Sequence, residues 1–275
     1  MGIFEGCLLV SDIDGTLMEN GIIPNANIEA IEYFKSEGGI FTIATGRGPT
    51  VSREICNTCG VNAPALLSNG SVIYDSKKGE ILYAEYLSDN TLSLMQKALN
   101  KFSDIGLELT LGDSIVTINN TEYTKLHRAS VGIPYISKTI KDLQGTPVIK
   151  GLFMTENTTR LDELKKYLDT IKIPDCTYIV TSPYYYEVHV KGMNKAVNLQ
   201  KLADMLGVGH KNVFAIGDYY NDLEMVEKAS IGAFCENSPD DLKAKANYIA
   251  KNVKYGAVAD FIHYLSKIRK EEEDG

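Results

Sequence analysis

The chain has 275 residues, more than the ~150 of a typical domain, so it holds one large domain or two modest ones. With 44% hydrophobic and 23% charged residues it is neither disordered, collagen-like nor coiled-coil, and no stretch reaches the roughly 18 apolar residues of a membrane helix. The 36 acidic residues against 28 basic ones leave a net charge of -8, the wrong sign for covering nucleic-acid phosphates, although local cations, helix N-termini or a metal can still hold a small anion.

In chain order, Leu8, Leu9 and Val10 form a short apolar run bounded by polar residues, the mark of a buried parallel strand. After Pro24 and Asn25, the spacing of Ile28, Ile31 and Phe34 predicts a helix that stops at Gly38 and Gly39. A strand over 40–44, a helix over 51–59 and a third apolar run over 64–67 continue the alternation. This predicts βαβ units and a Rossmann-like, doubly wound parallel sheet of the α/β class.

The pattern changes at about residue 81. Ser88 and Asp89 are capping candidates for an amphipathic helix carrying Leu92, Met95, Leu99 and Phe102. Residues 107–118 alternate on either side of Gly112 and Asp113, which resembles a hairpin turn. A strand over 148–154, a helix bearing Leu161, Leu164 and Leu168, and a strand pair hinged at Ser182 and Pro183 complete an inserted α+β domain, 84–186. The parallel pattern then returns, with a helix over 194–206 stopped by Gly207, a strand over 213–216, a helix over 222–229 and a strand over 231–234. The charge run 267–275 reads as a frayed, solvated end.

Five cysteines, Cys7, Cys56, Cys59, Cys176 and Cys235, are odd in number and, one C-x-x-C pair apart, widely spaced. A disulfide framework is not expected, and with no signal-like or lipidation motif we expect a cytoplasmic protein. Cys56 and Cys59, without a second pair, do not make a zinc site, and Tyr184, Tyr185 and Tyr186 read as sheet packing.

Four motifs carry chemistry. The first is Ser11-Asp12-Ile13-Asp14-Gly15-Thr16-Leu17, directly after a buried strand. Ligands of α/β sheets bind beyond the carboxyl ends of strands, and alternation puts Asp12 and Asp14 on one side. Two such carboxylates repel each other, which favours a divalent cation or a proton held on one of them, and suits a nucleophile with a general acid. Taken alone, D-x-D-G-T also makes an ordinary solvated turn.

The second motif, Ala44-Thr45-Gly46-Arg47, ends the next strand with a hydroxyl, a glycine open to close backbone approach and a guanidinium, the parts of an oxyanion clamp; alone it is more often a bland turn. The third, Lys195, falls in the first turn of a predicted helix, where the macrodipole disfavours a cation and calls for a compensating anion. The fourth, Gly217-Asp218-Tyr219-Tyr220-Asn221-Asp222, supplies carboxylates that suit Mg2+, a hard ion with oxygen ligands. Each falls at a strand C-terminus or a helix start, so one crevice can hold all four. Four unrelated turns would not be expected to supply these groups in this order.

Taken together, Asp12-Ile13-Asp14-Gly15-Thr16, Thr45-Gly46-Arg47, Lys195 and Gly217 to Asp222 resemble the motifs of the haloacid dehalogenase superfamily, specifically its Cof-type phosphatases. The resemblance covers nearly the whole chain and extends to Ser68-Asn69-Gly70 and to the long insertion between the second and third motifs. Ala196 stands where relatives usually carry glycine, and Cys235-Glu236-Asn237-Ser238-Pro239 departs from a small-residue segment, but neither departure touches a catalytic position.

The resemblance implies a split catalytic core, 1–83 with 187–275, and an inserted α/β cap, 84–186, that closes over the crevice and selects the leaving group. It implies phosphoryl transfer from a small phosphomonoester through an aspartyl-phosphate, with Asp12 as nucleophile and Asp14 as general acid and base. Mg2+ would be held by the Asp12 carboxylate, the Asp14 backbone carbonyl and Asp218, with Asp222 as ligand or supporting a ligand. Thr45, the Gly46 backbone and Lys195 would gather the phosphoryl oxygens, Asn221 would orient Lys195 or the phosphate, and Arg47 would meet the phosphate or the substrate nearby. Sugar phosphates lead as substrates, followed by pyridoxal phosphate and flavin mononucleotide, with no nucleic-acid or membrane partner. Two other readings share parts of the pattern: a phosphomutase, and a Mg2+-binding regulatory module phosphorylated on Asp12, for which Asp14 and a long cap would have no evident use.

Overall fold

The computed structural model describes residues 2–112, 114–171 and 175–274, and the chain divides into two compact units. One comprises Met1–Arg47, Ser52–Tyr83 and Asn194–Gly275, the other Gly48–Val51 and Ala84–Met193. The chain opens with β1 (Leu8–Ser11), α1 (Asn25–Ser36), β2 (Ile40–Ile43), α2 (Pro49–Thr58), β3 (Ala65–Leu67), β4 (Val72–Asp75) and β5 (Glu80–Ala84). The middle holds α3 (Asp89–Lys101), β6 (Gly106–Thr110), β7 (Ile115–Asn119), α4 (Glu122–Val131), β8 (Lys150–Met154), α5 (Thr158–Ile171), β9 (Cys176–Ser182) and β10 (Tyr185–Val190). The last part carries α6 (Leu199–Met205), β11 (Val213–Gly217), α7 (Leu223–Lys228), β12 (Ile231–Cys235), α8 (Asp240–Lys243), β13 (Tyr248–Ala250) and α9 (Ala257–Asp274).

In the first unit a parallel sheet runs in the order β13-β12-β11-β1-β2. Its inner strand β1, between β11 and β2, is buried along its whole length, which is why Leu8 to Val10 reads as an unbroken apolar run. Leu8 and Val10 of β1 and Val213 and Ala215 of β11 share a cluster with Leu199, Leu202 and Ala203 of α6. The buried stripe of α1 is Asn27, Ala30, Ile31 and Phe34, and Ile28, expected on that face, is exposed. Asn27 takes the inward place because its side chain donates to Leu17 O and accepts from Ala259 N, joining the loop after β1 to α9.

Three expectations change here. β3 runs parallel to the chain at the end of β2, bridged at Ala44 and Leu66 with Thr45 N bonding Leu66 O, but it also pairs antiparallel with β4 in a three-stranded sheet that the alternation does not predict. The helix expected over 194–206 begins only at Leu199, and Val197 N and Leu199 N close turns onto Asn194 O and Ala196 O. The charge run after 267 continues α9 as far as Asp274. Phe261, Ile262 and Leu265 bury its inner face, and Arg269 donates to Asn212 Oδ1 at 2.6 Å.

The second unit is an antiparallel sheet, β7-β6-β8-β10-β9. Leu107 and Leu109 face a core shared with Phe153, Leu92 and Met95 of α3, and Leu161, Leu164 and Leu168 of α5. The alternate residues point the other way, where Glu187 accepts from Lys150 Nζ at 2.7 Å and pairs with His189 at 2.6 Å. Ser88 caps α3 by accepting from Thr91 N. Leu111 N bonds Ser114 O across the β6–β7 hairpin, where Asp113 lies outside the described residues. Tyr186 stacks on Tyr178 and Tyr185 packs edge-on to His127, in keeping with the packing role expected for the tyrosine run. Among the described residues no helix is long and apolar enough to cross a membrane.

Candidate active site

The register of the parallel sheet brings the motifs to one edge. Ser11 pairs with Ile216 on one side and Ile43 on the other, so β1, β11 and β2 end level. Asp12 N still bonds Ile216 O at 3.0 Å and Ala44 N bonds Ser11 O at 2.9 Å, which ties the first residues beyond the strands to the sheet. Asp12, Thr45 and Asp218 therefore leave the carboxyl ends of three adjacent strands, where α/β folds place ligands.

Asp12, Asp218 and Asp222 each offer a carboxylate oxygen within 4.8 Å of the others. Lys195, buried to 1% exposure, donates to Asp12 Oδ1 and, at 2.6 Å, to Asp222 Oδ1. The anion anticipated beside Lys195 is thus a pair of carboxylates. The helix-dipole reason given for it does not hold, since Lys195 sits in a turn ahead of α6. The other oxygen of Asp222 accepts from Asp218 N at 3.0 Å and Tyr219 N at 3.2 Å, which fixes the turn after β11. Gly217 is required there, since a Cβ on it would lie 2.3 Å from Asp222 Cβ.

Three carboxylates face one lysine, and the titration of Asp12 and Asp218 reflects the imbalance. Burial, then repulsion from Asp222, pushes Asp12 up to about 8 despite Lys195, and burial with Asp222 pushes Asp218 up to about 6. Burial alone would lower Lys195, but Asp12 and Asp222 outweigh it and hold the ammonium charged. The excess negative charge and the all-oxygen donor set fit a hard divalent cation such as Mg2+. Gly15 makes room beside it: its φ is +90, and a Cβ would come within 2.3 Å of Asp218 Oδ2.

Asp14 and Arg47 form a two-armed pair away from this cluster. Arg47 Nη2 donates to Asp14 Oδ1 at 2.7 Å and Nε donates to Oδ2 at 3.0 Å, with side chains 38% and 58% exposed respectively. Thr45 is buried, and its hydroxyl accepts from Arg47 N at 3.2 Å. Gly46 lies against Asn69, whose Oδ1 would be 3.2 Å from a Cβ there. Asn221, expected to orient Lys195 or the phosphate, is exposed on the short turn Tyr220–Asp222; Asp222 orients Lys195 instead.

Further residues support the site without having been assigned in the sequence. Thr16 donates to Asp218 Oδ1 at 3.3 Å, Asn198 donates to Gly70 O at 2.7 Å, and Asn237 donates to Gly15 O at 2.9 Å while accepting from Val253 N. Asn237 follows the end of β12, so the strand-end rule that singled out Asp12 and Asp218 also points to it.

A parallel sheet with three acids and a lysine at its carboxyl edge has the layout of an α/β enzyme core. The family model of haloacid dehalogenase-like hydrolases matches residues 9–262, and the chain belongs to that family. It is similar to the 5-amino-6-(5-phospho-D-ribitylamino)uracil phosphatase of Bacillus subtilis, 26% identical over 94% of this chain and 95% of that protein. It is also similar to the pyridoxal phosphate phosphatase of Escherichia coli, 24% identical over 93% and 97% of the two chains. A haloacid dehalogenase-like hydrolase from Bacteroides thetaiotaomicron shares the fold with a TM-score of 0.84, at 24% identity over 94% of this chain and 99% of that one.

Proposed function

We propose that the protein is a Mg2+-dependent phosphatase of small phosphomonoesters, sugar and sugar-alcohol phosphates first, working through a phosphoaspartate on Asp12. The observation that carries this reading is the buried set of Asp12, Asp218, Asp222 and Lys195 at one strand edge. Phosphatase names among the relatives, one of them for a phosphoribityl substrate, support it.

In this reading an oxygen of Asp12 attacks phosphorus in line while the bond to the leaving alkoxide breaks. Asp14 gives that alkoxide a proton, then takes one from the water that attacks the phosphoaspartate, releasing inorganic phosphate and restoring the Asp12 carboxylate and the Asp14 carboxylic acid. Thr45, the Gly46 backbone and Lys195 gather the phosphoryl oxygens; Lys195 also keeps Asp12 in place. Bound by Asp12, the Asp14 carbonyl, Asp218 and Asp222, Mg2+ supplies charge neutralisation that lets an anionic nucleophile meet an anionic ester. The core, 1–83 with 187–275, would carry the chemistry, and the inserted domain, 84–186, the choice of leaving group.

The test is phosphate release, with and without Mg2+, across sugar phosphates, sugar-alcohol phosphates, pyridoxal phosphate and flavin mononucleotide. We expect release from at least one and loss of at least about 1000-fold in Asp12→Asn with the fold intact. Substantial turnover by a folded Asp12→Asn protein would remove the nucleophile assignment. Transfer to a second sugar hydroxyl without phosphate release would make it a mutase.

A further inference from the structure

We infer that Arg47 is a positioning residue for Asp14, holding the proton-transfer carboxylate in place, rather than a group that binds the phosphate. The inference rests on the phosphatase reading above. Its basis is the two-armed pair, in which both oxygens of Asp14 meet one guanidinium, at 2.7 and 3.0 Å. A planar fork on a planar carboxylate fixes the orientation of the carboxylate as well as its distance.

Both partners are anchored through their main chains. Arg47 N donates to the Thr45 hydroxyl and Arg47 O accepts from Ser68 N at 2.9 Å, which ties the arginine to the loops after β2 and β3. Asp14 forms a bridge with Met18, and the next residue, Gly15, donates from its N to Met18 O at 2.9 Å. The carboxylate itself is 58% exposed, so its side chain would sample several rotamers in water if the guanidinium were removed. Pairs this exposed add little to folding stability, so replacing Arg47 should leave the fold intact.

The chemistry makes the role testable. As the Asp12 oxygen–phosphorus bond forms, the phosphorus–oxygen ester bond breaks and its electron pair goes to the leaving oxygen. An alkoxide needs the Asp14 proton at that moment, whereas a p-nitrophenolate does not. The two-armed fork holds the ionised form that takes a proton from water; in the acid form Oδ2 carries the proton, and the group keeps only the Nη2 to Oδ1 arm and turns its O–H to the leaving oxygen. A phosphate-binding arginine would serve both leaving groups alike.

The experiment compares p-nitrophenyl phosphate with the alkyl phosphate that turns over fastest in the screen above, for wild type, Arg47→Ala, Asp14→Asn and the double variant. We expect Arg47→Ala to lower kcat on the alkyl ester by ~10- to 100-fold more than on the aryl ester. Asp14→Asn should show the same selective loss, and the double variant should be no more selective than Asp14→Asn. Equal losses on the two esters carried by KM, or additive losses in the double variant, overturn the assignment while leaving the phosphatase reading standing. A wild-type chain that releases phosphate from neither ester overturns the phosphatase reading, and this assignment with it.

Discussion

Asp222 uses both of its oxygens and is fully buried, accepting from Lys195 Nζ on one side and from the amides of Asp218 and Tyr219 on the other. Its removal leaves Lys195 with Asp12 alone and takes the acceptor from two partly buried amide donors. Breaking a buried pair costs about 3–5 kcal/mol and an unmet buried amide about 1–3 kcal/mol. We expect Asp222→Ala to lose roughly 3 kcal/mol or more of unfolding free energy in a urea titration, and Asp222→Asn, which keeps an acceptor for the amides, to lose less. Indistinguishable titrations of the two would show that the amide contacts carry nothing. At this scale Asp12 and Asp218 were legible in the sequence because each directly follows a strand, and Asp222 because it stands just ahead of the next helix. The bond from Thr16 to Asp218 was not, since its partners lie 202 residues apart and no spacing encodes it. The fork of Arg47 on Asp14 was hidden for the same reason. Residue types showed a cation and an acid at one edge, but only the backbone turns decide which of them meet.

The turn between β3 and β4 shows how an element's ends set the site. Ser68, Asn69 and Gly70 all have positive φ, at 52, 53 and 83, and turn the chain straight back after a three-residue strand. That reversal is why β3, parallel to the end of β2 on one side, pairs antiparallel with β4 on the other. A Cβ on Gly70 would fall 2.1 Å from Asn194 O and 3.3 Å from Lys195 Cα, both backbone atoms with no soft way to yield. Gly70→Ala should therefore destabilise the chain by about 1–3 kcal/mol and lower kcat by moving Lys195, with stability read by denaturant and turnover on the same preparation. Wild-type kcat in a destabilised Gly70→Ala protein would separate the turn from the site. The helix expected over 194–206 started late for a related reason. Asn194 Oδ1 accepts from Ala196 N at 2.9 Å and the Asn198 side chain bonds Gly70, so both asparagines offer the backbone an alternative to the helical ladder. Strands buried on both faces, such as β1 and β11, were legible from apolar runs alone. The last turns of α9 were not, because a charge run reads as a solvated end, although its Lys, Arg and Glu favour a helix and Arg269 ties it to Asn212.

Across the molecule the two units carry buried carboxyls whose titration is shifted in opposite directions. In the first, Asp12 and Asp218 are raised by burial and mutual repulsion to about 8 and about 6, above the 3.8 of an unfolded chain. A raised carboxyl favours the folded state at low pH, and that contribution is lost as pH climbs from about 4 through 6 to 8. In the second, burial alone would raise Glu187, but Lys150 and then His189 outweigh it and hold it down to about 2, below its ordinary 4.5. A depressed carboxyl stabilises above the unfolded value, and that contribution, roughly 3 kcal/mol, is lost as pH falls from about 4.5 toward 2. Without divalent cations we therefore expect the first unit to weaken toward pH 8 and the second toward pH 2, which hydrogen exchange resolved by segment can follow separately. Glu187→Gln should change the acid limb and leave the alkaline limb alone, and Asp218→Asn should do the reverse. If the carboxylates hold Mg2+, adding it in chelator-free buffer should raise the melting temperature most near pH 8, where Asp12 and Asp218 carry their charge, and hardly at pH 5, where protons compete for the same oxygens. A Mg2+ shift that is flat with pH, or that survives in Asp12→Asn and Asp218→Asn together, would place the ion elsewhere.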